Sequence, residues 1–126
     1  MTMEQHIRLV VADDQASARA GLKAVLANYP QFEVLADAAN GQEAVELVDR
    51  WLPDVVLMDA CMPVMDGLQA TQVIKSRWPH TRVVVLSMYV AKAHALAAGA
   101  DAFCLKGAPI ENLLAELSAG WQPAPA

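Results

Sequence analysis

Asp13 and Asp14 stand side by side after the apolar run "LVVA", Asp59 closes "DVVLMD", Ser87 closes "TRVVVLS" and Lys106 closes "DAFCLK". Each polar residue ends a stretch that is otherwise apolar enough for a protein core. If those stretches run side by side, three carboxylates, a hydroxyl and an ammonium meet at one rim. Crowded carboxylates repel and raise one another's pKa unless a cation reverses the local field. With oxygen the only donor on offer, a hard divalent ion fits: magnesium takes one or two carboxylates, keeps several waters and bridges readily to a phosphoryl oxygen. Zinc does not fit that donor set. A lysine and a serine beside the acids suit an anion that arrives later, because phosphoryl transfer is mostly positioning and neutralisation of oxygens. Asp59 is then the candidate nucleophile, since a carboxylate can carry a phosphoryl group as an acyl phosphate.

The elements that must deliver these groups alternate along the chain. "IRLVVA" (Ile7 to Ala12) has the length and β-branching of a buried strand. Ala18, Leu22, Val25, Leu26 and Tyr29 then keep helical spacing until Pro30. "FEVLADAA" (Phe32 to Ala39) reads as a second strand. Asn40 with Glu43 three residues on has the form of a capping box and opens a helix through Ala44, Val45, Val48 and Leu52, stopped by Pro53. "DVVLMD" is a third strand, continuous enough in hydrophobicity to be covered on both faces, and Leu68, Thr71, Ile74 and Trp78 mark the helix after it. Thr81 to Ser87 is a fourth strand, "AKAHALAAG" a short helix ending at Gly99, "DAFCLK" a fifth strand, and Pro109 sits in the first turn of a last helix. Five such units predict an α/β fold, a parallel sheet with helices on both faces and right-handed crossovers. In open parallel sheets functional groups gather at the carboxyl ends of the strands, where all five polar residues fall.

Composition excludes several functions. The chain of 126 residues is 56% hydrophobic, enough for one domain with a true core and too short for two. Fourteen acidic against nine basic residues give a net charge of -5, with no basic stripe to track phosphates, so direct nucleic-acid binding is not expected. No apolar run is long enough to span a bilayer and "MTMEQHIRLV" is no signal peptide, which predicts a cytoplasmic protein. Cys61 and Cys104 lack metal-ligand spacing and read as reduced thiols, Cys104 in the core. The proline-containing end, 120–126, reads as a tail or the start of a linker, leaving 1–119 as the domain.

Taken singly, each candidate has a plainer role. Asp13 and Asp14 read as helix caps, Ser87 as a polar strand end, Lys106 as a solvated lysine and Phe103 as a core aromatic. Asp66 reads as the cap of the third helix, because helical periodicity begins directly behind Gly67. Met58, Met62 and Met65 read as packing residues, and His6, His80 and His94 lack partners at catalytic spacing. Joint placement at strand ends overrules the plain readings for the site residues.

With "VVADDQ", "LMDACMPVMDG", "VVVLS" and "AFCLKG" together, nearly the whole chain resembles a receiver domain of two-component response regulators. The loop after Asp59 is similar to that family's aspartate-x-x-methionine-proline-x-methionine-aspartate-glycine pattern. The resemblance implies a flavodoxin-like doubly wound sheet of order 2-1-3-4-5. It implies that Asp59 is the phosphoacceptor, taking a phosphoryl group from a sensor histidine kinase or phosphotransfer protein. Asp14, Asp59 and the backbone carbonyl of Cys61 match the family's direct magnesium ligands, and Asp13 the acid that holds the metal through water. Lys106 matches the lysine that pairs with the phosphoryl group, Ser87 the hydroxyl that bonds it, and Phe103 the aromatic switch, whose shift with Ser87 remodels the fourth and fifth strand-helix surface. Such a domain is no classical enzyme: it catalyses its own magnesium-dependent phosphorylation and dephosphorylation. The ending "DAFCLKGAPIENLLAEL" is similar to receivers joined to LuxR-type helix-turn-helix output domains. Any DNA binding would belong to a C-terminal portion absent from this chain, and a homodimer is a further expected partnership.

Two departures from the family stand out. Ser87 and Lys106 lie 19 positions apart, about three fewer than the resemblance implies, roughly one helical turn. The thirteen residues from Met88 to Ala100 are near the minimum for a crossover, about 10 to 12, so the fourth helix should be short, about two turns. Met88 and Tyr89 also replace residues that are often small or acidic in the family, and narrow access to an acyl phosphate. Gly107 stands where many relatives have a cis proline. Other readings are a degenerate receiver acting as a phosphorylation-independent interaction module, and a magnesium-dependent phosphatase. The phosphatase reading is disfavoured by Cys61, which sits where that class places a second aspartate, and by the lack of a water-excluding cap.

Overall fold

A computed structural model describes residues 6–88, 92–119 and 121. Strands and helices alternate through the chain: β1 (Ile7–Ala12), α1 (Ala16–Leu26), β2 (Phe32–Ala38), α2 (Gly41–Trp51), β3 (Val55–Asp59), α3 (Gly67–Arg77), β4 (Arg82–Ser87), α4 (Lys92–Ala97), β5 (Ala102–Leu105) and α5 (Ile110–Ser118). The five strands form one sheet of order β2-β1-β3-β4-β5 with every pairing parallel, the flavodoxin-like order expected.

Strand side chains alternate between faces, so each β-branched run supplies two cores at once. Val10, Ala12, Val56, Met58, Val83 and Val85 pack with Ala44, Val48 and Ile74 under α2 and α3. Ile7, Leu9, Val11, Val55, Leu57 and Val84 pack with Leu26, Leu113 and Leu117 under α1 and α5. Every residue of β3 is buried, which is why its sequence is continuously apolar rather than alternating. Asp59 shares the parity of Val55 and Leu57 and appears where the strand runs out of core.

Capping decides where the helices begin. Asp66 and Gln69 form a reciprocal capping box on α3, with Asp66 Oδ1 accepting from the Gln69 N–H at 2.8 Å and Gln69 Oε1 from the Asp66 N–H at 3.1 Å. On α2 the box is half shifted: Asn40 Oδ1 accepts from the Glu43 N–H, but Glu43 Oε1 reaches past Asn40 to the Ala39 N–H. In α1 the apolar stripe is narrower than its spacing predicts. Leu22 and Leu26 face the core four residues apart, whereas Val25, about 100° around the helix from Leu26, turns to solvent.

The fourth helix is short, with six residues in Lys92–Ala97. Met88 is exposed, while Tyr89 lies outside the described residues. Of the expected tail only Trp121 is described: its ring packs against the α1/α5 core and its indole N–H donates to the His6 carbonyl at 3.1 Å. Residues 120 and 122–126 lie outside the described residues. Among the described residues no helix is long and apolar enough to cross a membrane.

Candidate functional site

All the strand-end polar residues lie at the carboxyl rim of the sheet. Asp13 and Asp14 follow β1, Asp59 is the last residue of β3, Ser87 the last of β4, and Lys106 follows β5 directly. Carboxylate oxygens of Asp13, Asp14 and Asp59 all lie within 4.8 Å of one another. Asp13 and Asp59 are buried, whereas Asp14 is exposed and opens the cluster to solvent.

Each acid is held differently. Asp13 donates its N–H to the Ala38 carbonyl on β2 at 3.0 Å and accepts from the Gln15 N–H through Oδ1 at 2.9 Å. Asp59 Oδ1 accepts from the Cys61 N–H at 3.3 Å. The β3-α3 loop beyond it closes tightly: the Gly67 N–H donates to the Ala60 carbonyl at 2.9 Å, and a Cβ on Gly67 would run into the Asp59 carbonyl. No side chain larger than hydrogen fits there, which gives the glycine of "MDG" a steric reason.

Lys106 reaches across the end of β4 to the acids. Its main-chain N–H donates to the Ser87 carbonyl at 3.2 Å, and its Nζ stands 3.3 Å from Asp59 Oδ2 and 3.5 Å from Asp13 Oδ2. One ammonium therefore faces two buried carboxylates. Burial pushes the Asp59 carboxyl above the usual carboxylate range, and the Asp13 charge adds to this against the opposing pull of Lys106. Burial alone would lower Lys106, but Asp59 and Asp13 outweigh it and raise its pKa. Gly107 follows at φ +88°, a conformation closed to proline, so the backbone leaves the lysine by a different route from a proline-containing loop.

Ser87 is buried at the end of β4. Phe103, on β5, is half-buried and packs against the α2/α3 core. The thiol-bearing Cys61 is exposed at the mouth, while Cys104 is buried and its thiol is pushed up by that burial. A cleft of about 630 Å³ joins the acids and Lys106 to an apolar wall that includes Leu22, Leu86, Ile110 and Leu113. Arg19 on α1, which no local pattern singles out, donates from Nη1 to the Asp13 carbonyl at 2.7 Å.

Among the described residues the cluster therefore combines three carboxylates, no nitrogen or sulfur ligand, one solvent-open side and a lysine ammonium in contact with two of the acids. Such a set favours a hard, partly hydrated cation over zinc.

A model of the response regulator receiver domain matches residues 9–118. The transcriptional regulatory protein DegU of Brevibacillus brevis is 40% identical over 114 residues, 88% of this chain and 48% of that protein. This chain thus spans about half the length of that curated relative. The response regulator domain of Thermotoga maritima CheB superposes with a TM-score of 0.85 at 30% identity, covering 94% of this chain and all of that one. The signal receiver domain of NarL from Mycobacterium tuberculosis superposes with a TM-score of 0.83 at 32% identity, covering 91% and 98%.

Proposed function

The chain belongs to the response regulator receiver family, and from that premise we propose that Asp59 accepts a phosphoryl group from the phosphohistidine of a sensor kinase or phosphotransfer protein. Receiver domains generally use magnesium at an acidic pocket. Here Asp14, Asp59 and the backbone carbonyl of Cys61 would hold it directly, and Asp13 through water. When bound, the ion supplies positive charge for the phosphoryl oxygens.

The observation that carries this reading is the convergence of three carboxylates from two strand ends with the ammonium of Lys106 3.3 Å from Asp59. An Asp59 carboxylate oxygen forms the new bond to phosphorus as the bond from phosphorus to the imidazole nitrogen breaks, and the bonding pair stays on the nitrogen. Lys106 gives up part of its contact with Asp59 and Asp13 to pair with the transferred group. Ser87 donates its hydroxyl to a phosphoryl oxygen, and Phe103 follows the movement of the Ser87 strand end. The domain, 1–119, then works as a cytoplasmic switch. Its altered β4-α4-β5 surface controls a DNA-binding output domain joined through the segment from 120 onward.

Incubation with acetyl phosphate and magnesium, followed by intact mass measurement, tests the proposal. The wild-type chain should gain one phosphoryl group, and the gain should vanish with Asp59→Asn or with a chelator. A wild-type chain that gains nothing under those conditions would overturn the switch and favour an interaction module that works without phosphate.

A further inference from the structure

Asp14 poses a positioning problem. It is the exposed member of the acid cluster, and its carboxylate has no hydrogen bond or ion pair to any described residue. Asp13, by contrast, is anchored through its N–H to Ala38 and through its carboxylate to Gln15 and Lys106. What holds Asp14 in range of the other acids must therefore act through the main chain.

The one remaining polar atom of the Asp13 main chain is its carbonyl oxygen. It belongs to the peptide plane that contains the Asp14 N–H, and a peptide plane turns as a unit. Arg19 Nη1 donates to that oxygen at 2.7 Å. The same guanidinium is fixed from the far side by Asp37 on the edge strand β2, with Nε 2.8 Å from Asp37 Oδ2. The Arg19 side chain is only 19% exposed, so this is no freely waving surface pair. Lys23 adds a second contact to Asp37 at 3.2 Å. Burial alone would raise the Asp37 carboxyl, yet Lys23 and Arg19 hold it below the usual range, which keeps the anchor charged.

We infer that Arg19, braced by Asp37, is a positioning residue for magnesium binding: it fixes the Asp13-Asp14 peptide plane and thereby aims the Asp14 carboxylate into the acid cluster. The planar fork of arginine suits this task because it serves two acceptors lying in different directions, one on a strand and one on a loop. In this role the guanidinium acts through the Asp13 carbonyl and needs no contact with the metal or the phosphoryl group. The inference rests on the reading of Asp14 as a magnesium ligand.

The test is calorimetric titration of the full chain with magnesium, with no phosphodonor, comparing wild type, Arg19→Met, Arg19→Lys and Asp37→Asn. Methionine keeps the aliphatic stem and removes every donor. Magnesium affinity should fall about tenfold or more in Arg19→Met, as is usual for outer-shell partners of metal ligands. It should fall less in Asp37→Asn and be partly restored in Arg19→Lys. The double variant Arg19→Met with Asp37→Asn should bind no more weakly than Arg19→Met alone, because both changes cut the same brace. A residue with a merely structural role would lower the unfolding midpoint and leave magnesium affinity untouched, and that result overturns the inference. Should Arg19→Met fail to fold, the comparison of Asp37→Asn and Arg19→Lys with wild type decides the matter in the same way. If the wild-type chain itself takes up no magnesium, the functional reading falls and this inference with it; if wild type binds and the variants bind equally, this inference alone falls.

Discussion

The Lys106 ammonium lies 3.3 Å from a carboxylate oxygen of Asp59 although their strands, β5 and β3, are not neighbours in the sheet. The lysine spans the end of β4 to get there, which only a long side chain can do. The contact is a counter-charge that an incoming anion must share; it eases the ionisation of Asp59, but burial and the Asp13 charge outweigh it and leave the carboxylate less favoured than in the unfolded chain.

Removing the charge of Asp59 should stabilise the metal-free fold. Its folded pKa is raised, first by burial and then by Asp13. A raised carboxyl contributes stability below its unfolded pKa and loses it as pH rises through the folded value, so ionised Asp59 is a cost at pH 7. Denaturant unfolding in the presence of a chelator should give Asp59→Asn a higher midpoint than wild type at pH 7. The difference should shrink as pH falls from the raised folded value to the ordinary carboxylate value.

Asp37 should behave in the opposite way. Its folded pKa is lowered because Lys23 and Arg19 outweigh burial, so its contribution is present above the unfolded value and lost as pH falls through the folded one. Asp37→Asn should flatten the acid limb of the stability curve. The partly exposed pairs limit the loss at neutral pH to about 1 kcal/mol or less. Midpoints measured from pH 7 down to pH 3 provide the check.

Val64 sits at φ +69° and is 83% exposed, a conformation that a β-branched residue adopts only with strain. Nothing is gained by burial to offset it. Val64→Asn, which tolerates the left-handed region, should raise stability by about 1 kcal/mol with phosphorylation from acetyl phosphate unchanged.

Gly67→Ala should do the reverse. The added methyl group meets the Asp59 carbonyl, so the loop must open or β3 must shift. A loss on the order of 2 kcal/mol is expected. Because the displaced residue is Asp59 itself, the phosphorylation rate should fall even at temperatures where the variant remains folded.

The acid cluster was legible in sequence because each member ends an apolar strand, and parallel strands bring their ends to one rim whatever the helices do. Asp66 was equally plain, since its capping partner Gln69 is local. Arg19 was not, because its partners, the Asp13 carbonyl and Asp37, come from a loop and an edge strand that only tertiary folding brings together. The exposure of Val25 and the shifted reach of Glu43 to Ala39 share this cause: spacing limits which face or partner is available, and packing chooses among neighbours one residue apart. The short fourth helix was legible from chain length alone, because thirteen residues leave little to spare after two crossings of the sheet edge.

The bond from Gly67 to Ala60 fastens the β3-α3 loop at its two ends, and the outward side chains of Cys61, Pro63 and Val64 take no part in the fastening. A new side chain at Cys61 or Val64 therefore leaves that bond intact, whereas the main chain of Cys61, which donates to Asp59, has to keep its place.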